Sequence, residues 1–179
     1  MSMITKKEPI TRDERIRRVG FLCVHFVRNL AFYRAGMENG ILLKTNPFWR
    51  TANFNFFDQA VLEWCKLFAD KKGKHYWGKI ATDCSKFQIF LCETIRMDND
   101  EFEVYVNELR KSRDKFIAHL DSERHDYRPH MDIAYKCIEY YYQHLFNHDN
   151  KQNCLSDFPS DLKVFYDKCF QLAEAEYKT

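Results

Sequence analysis

Apolar side chains recur along this chain in steps of three and four, the spacing that puts residues on one face of an α-helix. The longest stripe is Ile16, Val19, Cys23, Phe26, Leu30, Tyr33 and Met37. It opens at the capping-box pattern Thr11-Arg12-Asp13-Glu14 and runs out near Gly40. Residues 43–50, with Pro47, read as a connection, and Phe57, Val61, Trp64 and Phe68 mark a second helix over 53–68. Beyond the charged turn Asp70-Lys71-Lys72-Gly73-Lys74, the series Ile80, Cys84, Phe87, Leu91 and Ile95 predicts a third. Asp98-Asn99-Asp100-Glu101 supplies N-cap candidates and first-turn acids for a fourth. A polar stretch over 121–128, closed by Pro129, precedes a fifth with Met131, Ala134, Ile138, Tyr141 and Leu145. The last begins near Pro159-Ser160 and buries Leu162, Phe165, Cys169 and Leu172. No period-two run is bounded by turn residues well enough to predict a strand. The pattern predicts an all-α, single-domain helical bundle of about five to six helices, spanning residues 1–179.

One position breaks a stripe. Phe102, Val106, Leu109, Phe116 and Leu120 follow one another at helical spacing, and the missing member is Arg113. A guanidinium keeps its charge, so on a core-facing stripe it must meet an acceptor or a wet cleft. His119 follows in the same predicted helix and offers proton transfer near neutral pH. Successive helical residues rotate by about 100°, so Arg113 and His119 stand roughly 120° apart. His119 falls in the row Tyr105, Ser112, His119, expected to flank the stripe beside Glu101 and Glu108. A single helix cannot converge both groups on one small substrate atom, whereas a groove shared between helices or chains can. The plainer reading is a buried ion pair for Arg113 and a solvated or capping His119.

Composition narrows the classes. Hydrophobic residues at 45% and aromatics at 16% exclude a disordered chain. The 28 Lys and Arg nearly balance 26 Asp and Glu, which is not the signature of a dedicated DNA-binding domain. The seven cysteines are odd in number, dispersed and without C-x-x-C, as expected of buried thiols in a reducing compartment. With a polar N-terminus and no apolar stretch of membrane-span length, the expectation is a cytoplasmic protein with no membrane association. His144 and His148 are four apart but lack an identifiable third ligand, so no metal site is expected. No phosphate-binding loop, nucleophile elbow or dinucleotide fingerprint is present, and no cofactor is expected. Arg12, Arg15, Arg17 and Arg18 read as the wet face of the first helix.

The string Ser112-Arg113-Asp114-Lys115-Phe116-Ile117-Ala118-His119-Leu120-Asp121 resembles the signature of the HEPN superfamily. That signature is an arginine, a polar residue directly after it, and a histidine a few residues on. The local form is similar to HEPN-like proteins of bacterial abortive-infection systems, as are the upstream Leu62-Glu63-Trp64-Cys65-Lys66-Leu67-Phe68 and Tyr76-Trp77. The resemblance implies a helical bundle that forms a homodimer, with two motifs facing one cleft. It also implies a metal-independent endoribonuclease acting on RNA, of the kind found among toxins and antiphage effectors and paired with an antitoxin or nucleotidyltransferase-like partner. Carried over by position, His119 is the acid/base, Arg113 binds the scissile phosphate, and Asp114 orients one of them. Lys115, Arg124, His125 and Arg128 are candidates for holding the RNA backbone, the alternative for this loop cluster being plain solvation. Other members of the superfamily are non-catalytic and bind a partner protein or nucleotide, which is the alternative function.

Overall fold

In the computed structural model, whose described residues are 10–114 and 129–179, the chain is an all-α bundle with six α-helices and one small hairpin among those residues. The helices are α1 (Arg12–Ala35), α2 (Pro47–Phe68), α3 (Cys84–Ile95), α4 (Asn99–Ser112), α5 (Met131–His144) and α6 (Leu162–Lys178). Local chemistry sets most of their starts. Thr11 Oγ1 accepts from the Glu14 amide at 3.2 Å while Glu14 Oε2 accepts from the Thr11 amide at 2.8 Å, the reciprocal cap that the sequence predicts. Asp98 and Glu101 form the same device at the head of α4. Asn46 caps α2 by accepting from the Trp49 amide, and Pro47, pre-set in φ, occupies its first position. The second helix therefore starts inside the predicted connection.

The pattern predicts no strand, yet β1 (Met37–Glu38) and β2 (Ile41–Leu42) pair antiparallel. The turn between them is Asn39-Gly40, with φ of 50° and 78°. Both residues need positive φ in a tight two-residue hairpin, and Asn-Gly tolerates it best. The first helix accordingly ends at Gly36, before Met37.

The bundle is organised around α1, which packs against α2, α5 and α6, while α3 lies on α5 and α4 on α2. Its core is aromatic. Trp64 and Phe68 of α2 stack at 5.0 Å, Tyr105 of α4 meets Trp64 edge-on at 5.6 Å, and Tyr141 of α5 meets Phe68 at 5.7 Å. Of the Tyr140-Tyr141-Tyr142 run, Tyr141 and Tyr142 are buried and Tyr140 is half-buried. All seven cysteines are free thiols, and burial pushes those of Cys65 and Cys137 upward. No helix among the described residues is long and apolar enough to cross a membrane.

The face of α4 differs from expectation. Tyr105 and Ser112, placed on an edge row by the heptad reading, are buried together with Phe102, Val106 and Leu109. The Tyr105 hydroxyl explains why a polar ring sits inside: it donates to the His130 carbonyl at 2.7 Å and accepts from the Ala134 amide at 3.0 Å, tying α4 to the start of α5. The buried face is thus centred between Tyr105 and Leu109, and Arg113 falls on its flank, beside the end of α2.

Candidate functional site

Three cations tie α4 to the end of α2 and the turn after it: Arg110, Lys71 of that turn, and Arg113 directly after α4. Arg110 donates to the Ala69 carbonyl at 2.9 Å, meeting a helix end where exposed carbonyls concentrate negative potential. Lys71 reaches Glu103 at 2.9 Å. Arg113 makes the strongest arrangement: Nη1 lies 2.5 Å from Asp70 Oδ1 and Nε donates to Asp114 Oδ1 at 2.8 Å. Burial opposes the charge of Arg113, but the hydrogen bonds to Asp114 and Asp70 outweigh it and raise its pKa, so the guanidinium is permanently ionised. Its side chain is 19% exposed, against 36% for Asp70 and 53% for Asp114. Arg113 is therefore neither free in a cleft nor lost in the core. It is held in orientation by the residue directly after it and by a residue in the charged turn after α2.

In sequence that charged turn is only a connection, and no local signal marks Asp70, because its partner lies 43 positions away. The neighbouring Cys65 thiol is no nucleophile, since burial pushes it up to about 12. Of the sequence candidates, Arg113 and Asp114 are placed together. His119, Lys115, Arg124, His125 and Arg128 lie outside the described residues.

A second polar cluster joins three distant segments. Asp149, its side chain fully buried, takes Arg12 at 2.5 Å and the Thr82 hydroxyl on Oδ1. Oδ2 lies 3.5 Å from His144 Nε2. A wider π-turn over Leu145–Asp149 brings this about. In a regular α-helix residues five apart point well away from each other, and the extra residue per turn swings Asp149 back beneath His144. Burial lowers the His144 pKa, leaving the imidazole neutral at neutral pH. His148 lies alongside His144, with ring centroids 4.6 Å apart. Among the described residues no group of three or more His, Cys, Asp or Glu is arranged to hold a metal ion.

A third polar feature is Glu63 in the α1/α2 interface. Asn29 donates to it at 3.2 Å and His25 lies 3.5 Å away. Burial raises the Glu63 carboxyl to about 7, with Asn29, Lys66 and Arg28 pulling it back. Sequence reasoning misses Glu63 because it sits in the apolar run Leu62 to Phe68 with nothing local to mark it.

Comparison with known proteins adds no identification: no family model, no curated protein and no solved structure matches this chain.

Proposed function

We propose that this chain is a metal-independent endoribonuclease of HEPN type. The observation that carries the reading is the hydrogen bond from Arg113 Nε to Asp114 Oδ1 at 2.8 Å, with Asp70 on the second edge of the same guanidinium. In the motif that the chain resembles, the residue directly after the arginine is an orienting group, and Asp114 has the geometry for that work. An arginine pre-oriented by two carboxylates presents fixed donors to an incoming phosphate, and a fixed donor needs no reorganisation as charge builds up. RNA supplies its own nucleophile. The ribose 2′-oxygen attacks the adjacent phosphorus as its proton leaves to the acid/base, assigned to His119. Negative charge then accumulates on the non-bridging oxygens opposite Arg113, and the 5′-oxygen departs with a proton. The products are a 2′,3′-cyclic phosphate and a 5′-hydroxyl.

The six-residue spacing of Arg113 and His119 would set them about 120° apart on an ideal helix, so the reading includes a homodimer whose seam contains α4. Support comes from Val104 on the outer face of α4, 60% exposed, beside a depression of about 450 Å³ lined by Met97, Tyr105 and Ile133. A cytoplasmic location belongs to the same proposal.

The rival is a non-catalytic helical module that binds a partner protein or nucleotide. What favours it is the neutralisation of Arg113 by two carboxylates, as in an ion pair that only pins α4 to α2. Purified protein incubated with RNA in EDTA, beside Arg113→Ala and His119→Ala, separates the two. Cleavage to a 2′,3′-cyclic phosphate that both substitutions abolish supports the ribonuclease. Absence of cleavage, or cleavage that needs added Mg²⁺, defeats it. A monomer by light scattering with full activity removes the dimer.

A further inference from the structure

The cations of the first helix do not behave alike. Arg12 and Arg17 are tied down, to Asp149 and Asp157. Arg15, Arg18 and Arg28 of α1, Lys66 of α2 and Lys74 form no ion pair with any other described residue. These five cluster along the junction of α1 and α2, called the groove below. Asn29 and His25 contact Glu63, so this face of α1 lies against the last turns of α2. One and two turns back along the same face come Leu22, Arg18 and Arg15. There they meet the segment after α2, where His75 sits within electrostatic reach of Arg15, Arg18, Lys66 and Lys74. Lys66 also acts on His25, with Arg28, and so bridges the two ends. Along the axis of α1, Arg15 and Arg28 are about 20 Å apart, at 1.5 Å per residue.

The groove's positive charge is poorly compensated from within. Glu63 at its floor is buried and its carboxyl titrates at about 7, so it is only half ionised at neutral pH. Glu14, one turn before Arg18, is kept ionised by the α1 cap and by Arg18, and offsets one cation at that end. Lowered pKa values keep His25 and His75 neutral, leaving two imidazole faces among fixed cations. The one exposed large hydrophobic side chain on α1, Phe21, lies beside His25 but packs on Phe158. A protein partner needs buried apolar or aromatic anchors. A single nucleic-acid strand needs regularly stepped cations and flat rings.

We propose that the α1/α2 groove, lined by Arg15, Arg18, Arg28, Lys66 and Lys74, binds the phosphate backbone of single-stranded RNA. The direction of the track follows from one tight turn, closed by the Gly73 amide on the Asp70 carbonyl at 2.6 Å. Asp70, at its start, holds Arg113, while Lys74 and His75 follow it at the groove. A strand lying in the groove therefore arrives beside Arg113. Only this last step rests on the ribonuclease reading; the binding does not.

The test is fluorescence anisotropy with a short 2′-O-methyl RNA, which binds but cannot form a cyclic phosphate. The expected result is binding by the full chain that the double variant Arg18→Glu/Lys66→Glu weakens by about tenfold or more. Its log–log salt slope should also be shallower, by about 0.7 for each phosphate that the variant leaves without a cation. The charge-matched control Lys136→Glu/Lys163→Glu, at exposed positions of α5 and α6, stays within about twofold of wild type. Should the double variant fail a circular-dichroism melt, Lys74→Glu and Arg18→Gln replace it. Failure of wild type to bind, equal weakening by the control, wild-type affinity in the charge-reversed protein, or binding to anionic vesicles in place of RNA overturns the proposal. With unmodified RNA the two ideas part. RNA bound in the groove but left uncut keeps the track and removes the ribonuclease. RNA cut normally, with affinity indifferent to the charge reversals, keeps the ribonuclease and removes the track.

Discussion

The end of α4 and the α1/α2 groove are both rich in arginine and lysine, yet the fold treats them in opposite ways. Around Arg113 three cations have oxygen partners: Asp70 and Asp114 for Arg113, the Ala69 carbonyl for Arg110, Glu103 for Lys71. In the groove, Arg15, Arg18, Arg28, Lys66 and Lys74 form no ion pair among the described residues, with only Glu14 and a half-ionised Glu63 nearby. Matched charges at a helix junction orient side chains and hold elements together. Unmatched like charges repel, and a fold that keeps them side by side gives up a little stability for a surface that attracts anions. One region is built to hold an arginine still, the other to hold a polyanion.

The contrast can be broken first at the most deeply matched charge among the described residues. Asp149 is fully buried and Arg12 is its cation, so Arg12→Ala leaves a buried carboxylate uncompensated and should cost about 3 kcal/mol or more. Chemical denaturation measures it, and a loss under about 1 kcal/mol would show that buried matching contributes little here. Next comes Arg113→Ala. As a transition-state donor its removal should lower RNA cleavage by about 100-fold or more, while stability falls by only about 1–2 kcal/mol because both its carboxylates reach water. A larger stability loss with cleavage retained would make Arg113 a structural pin.

Asp70→Asn tests orientation alone. The amide keeps an acceptor for Arg113 Nη1 but drops the charge, so stability should fall by about 1 kcal/mol and cleavage by less than in Arg113→Ala. Parity of the two variants in cleavage would mean that Asp70 does more than position.

The last effect sharpens the groove side and carries a sign. Glu63 titrates at about 7 in the fold against an ordinary value of 4.5, so the folded state binds the proton more tightly than the unfolded chain. The stability Glu63 contributes is fully present below pH 4.5 and is lost as pH rises through 7. Glu63→Gln removes that loss and retains an acceptor for Asn29. The variant should gain up to about 3 kcal/mol over wild type at pH 8 and less than about 1 kcal/mol at pH 5. It should also bind RNA more tightly at pH 8, having removed the groove's negative charge. A gain independent of pH would place the effect in packing rather than in ionisation.

Legibility in the sequence differs between the two regions. Thr11, Asp98 and the apolar stripes announce their helices because the interactions that start and bury a helix lie within a few residues of one another. Arg113 stands out for the same reason: it interrupts a local period. Asn39-Gly40 carries an equally local hairpin signal, and the helical stripe running through Tyr33 to Met37 hides it. The groove is not legible. Arg12, Arg15, Arg17 and Arg18 look alike in sequence, and only the return of the chain at Asp149 and Asp157 ties down two of them.

By itself, then, the sequence determined the helices, the apolar core and the one arginine that breaks a stripe, because periodicity and capping act over a turn or two of chain. Tertiary structure alone decided what surrounds each charge. The Asp70 partner of Arg113 is 43 residues away, the Asp149 partner of Arg12 is 137 away, and the cations of the groove come from two helices and a loop. Charge is carried by residues, but its energy depends on what the fold places beside it and on how much water it excludes.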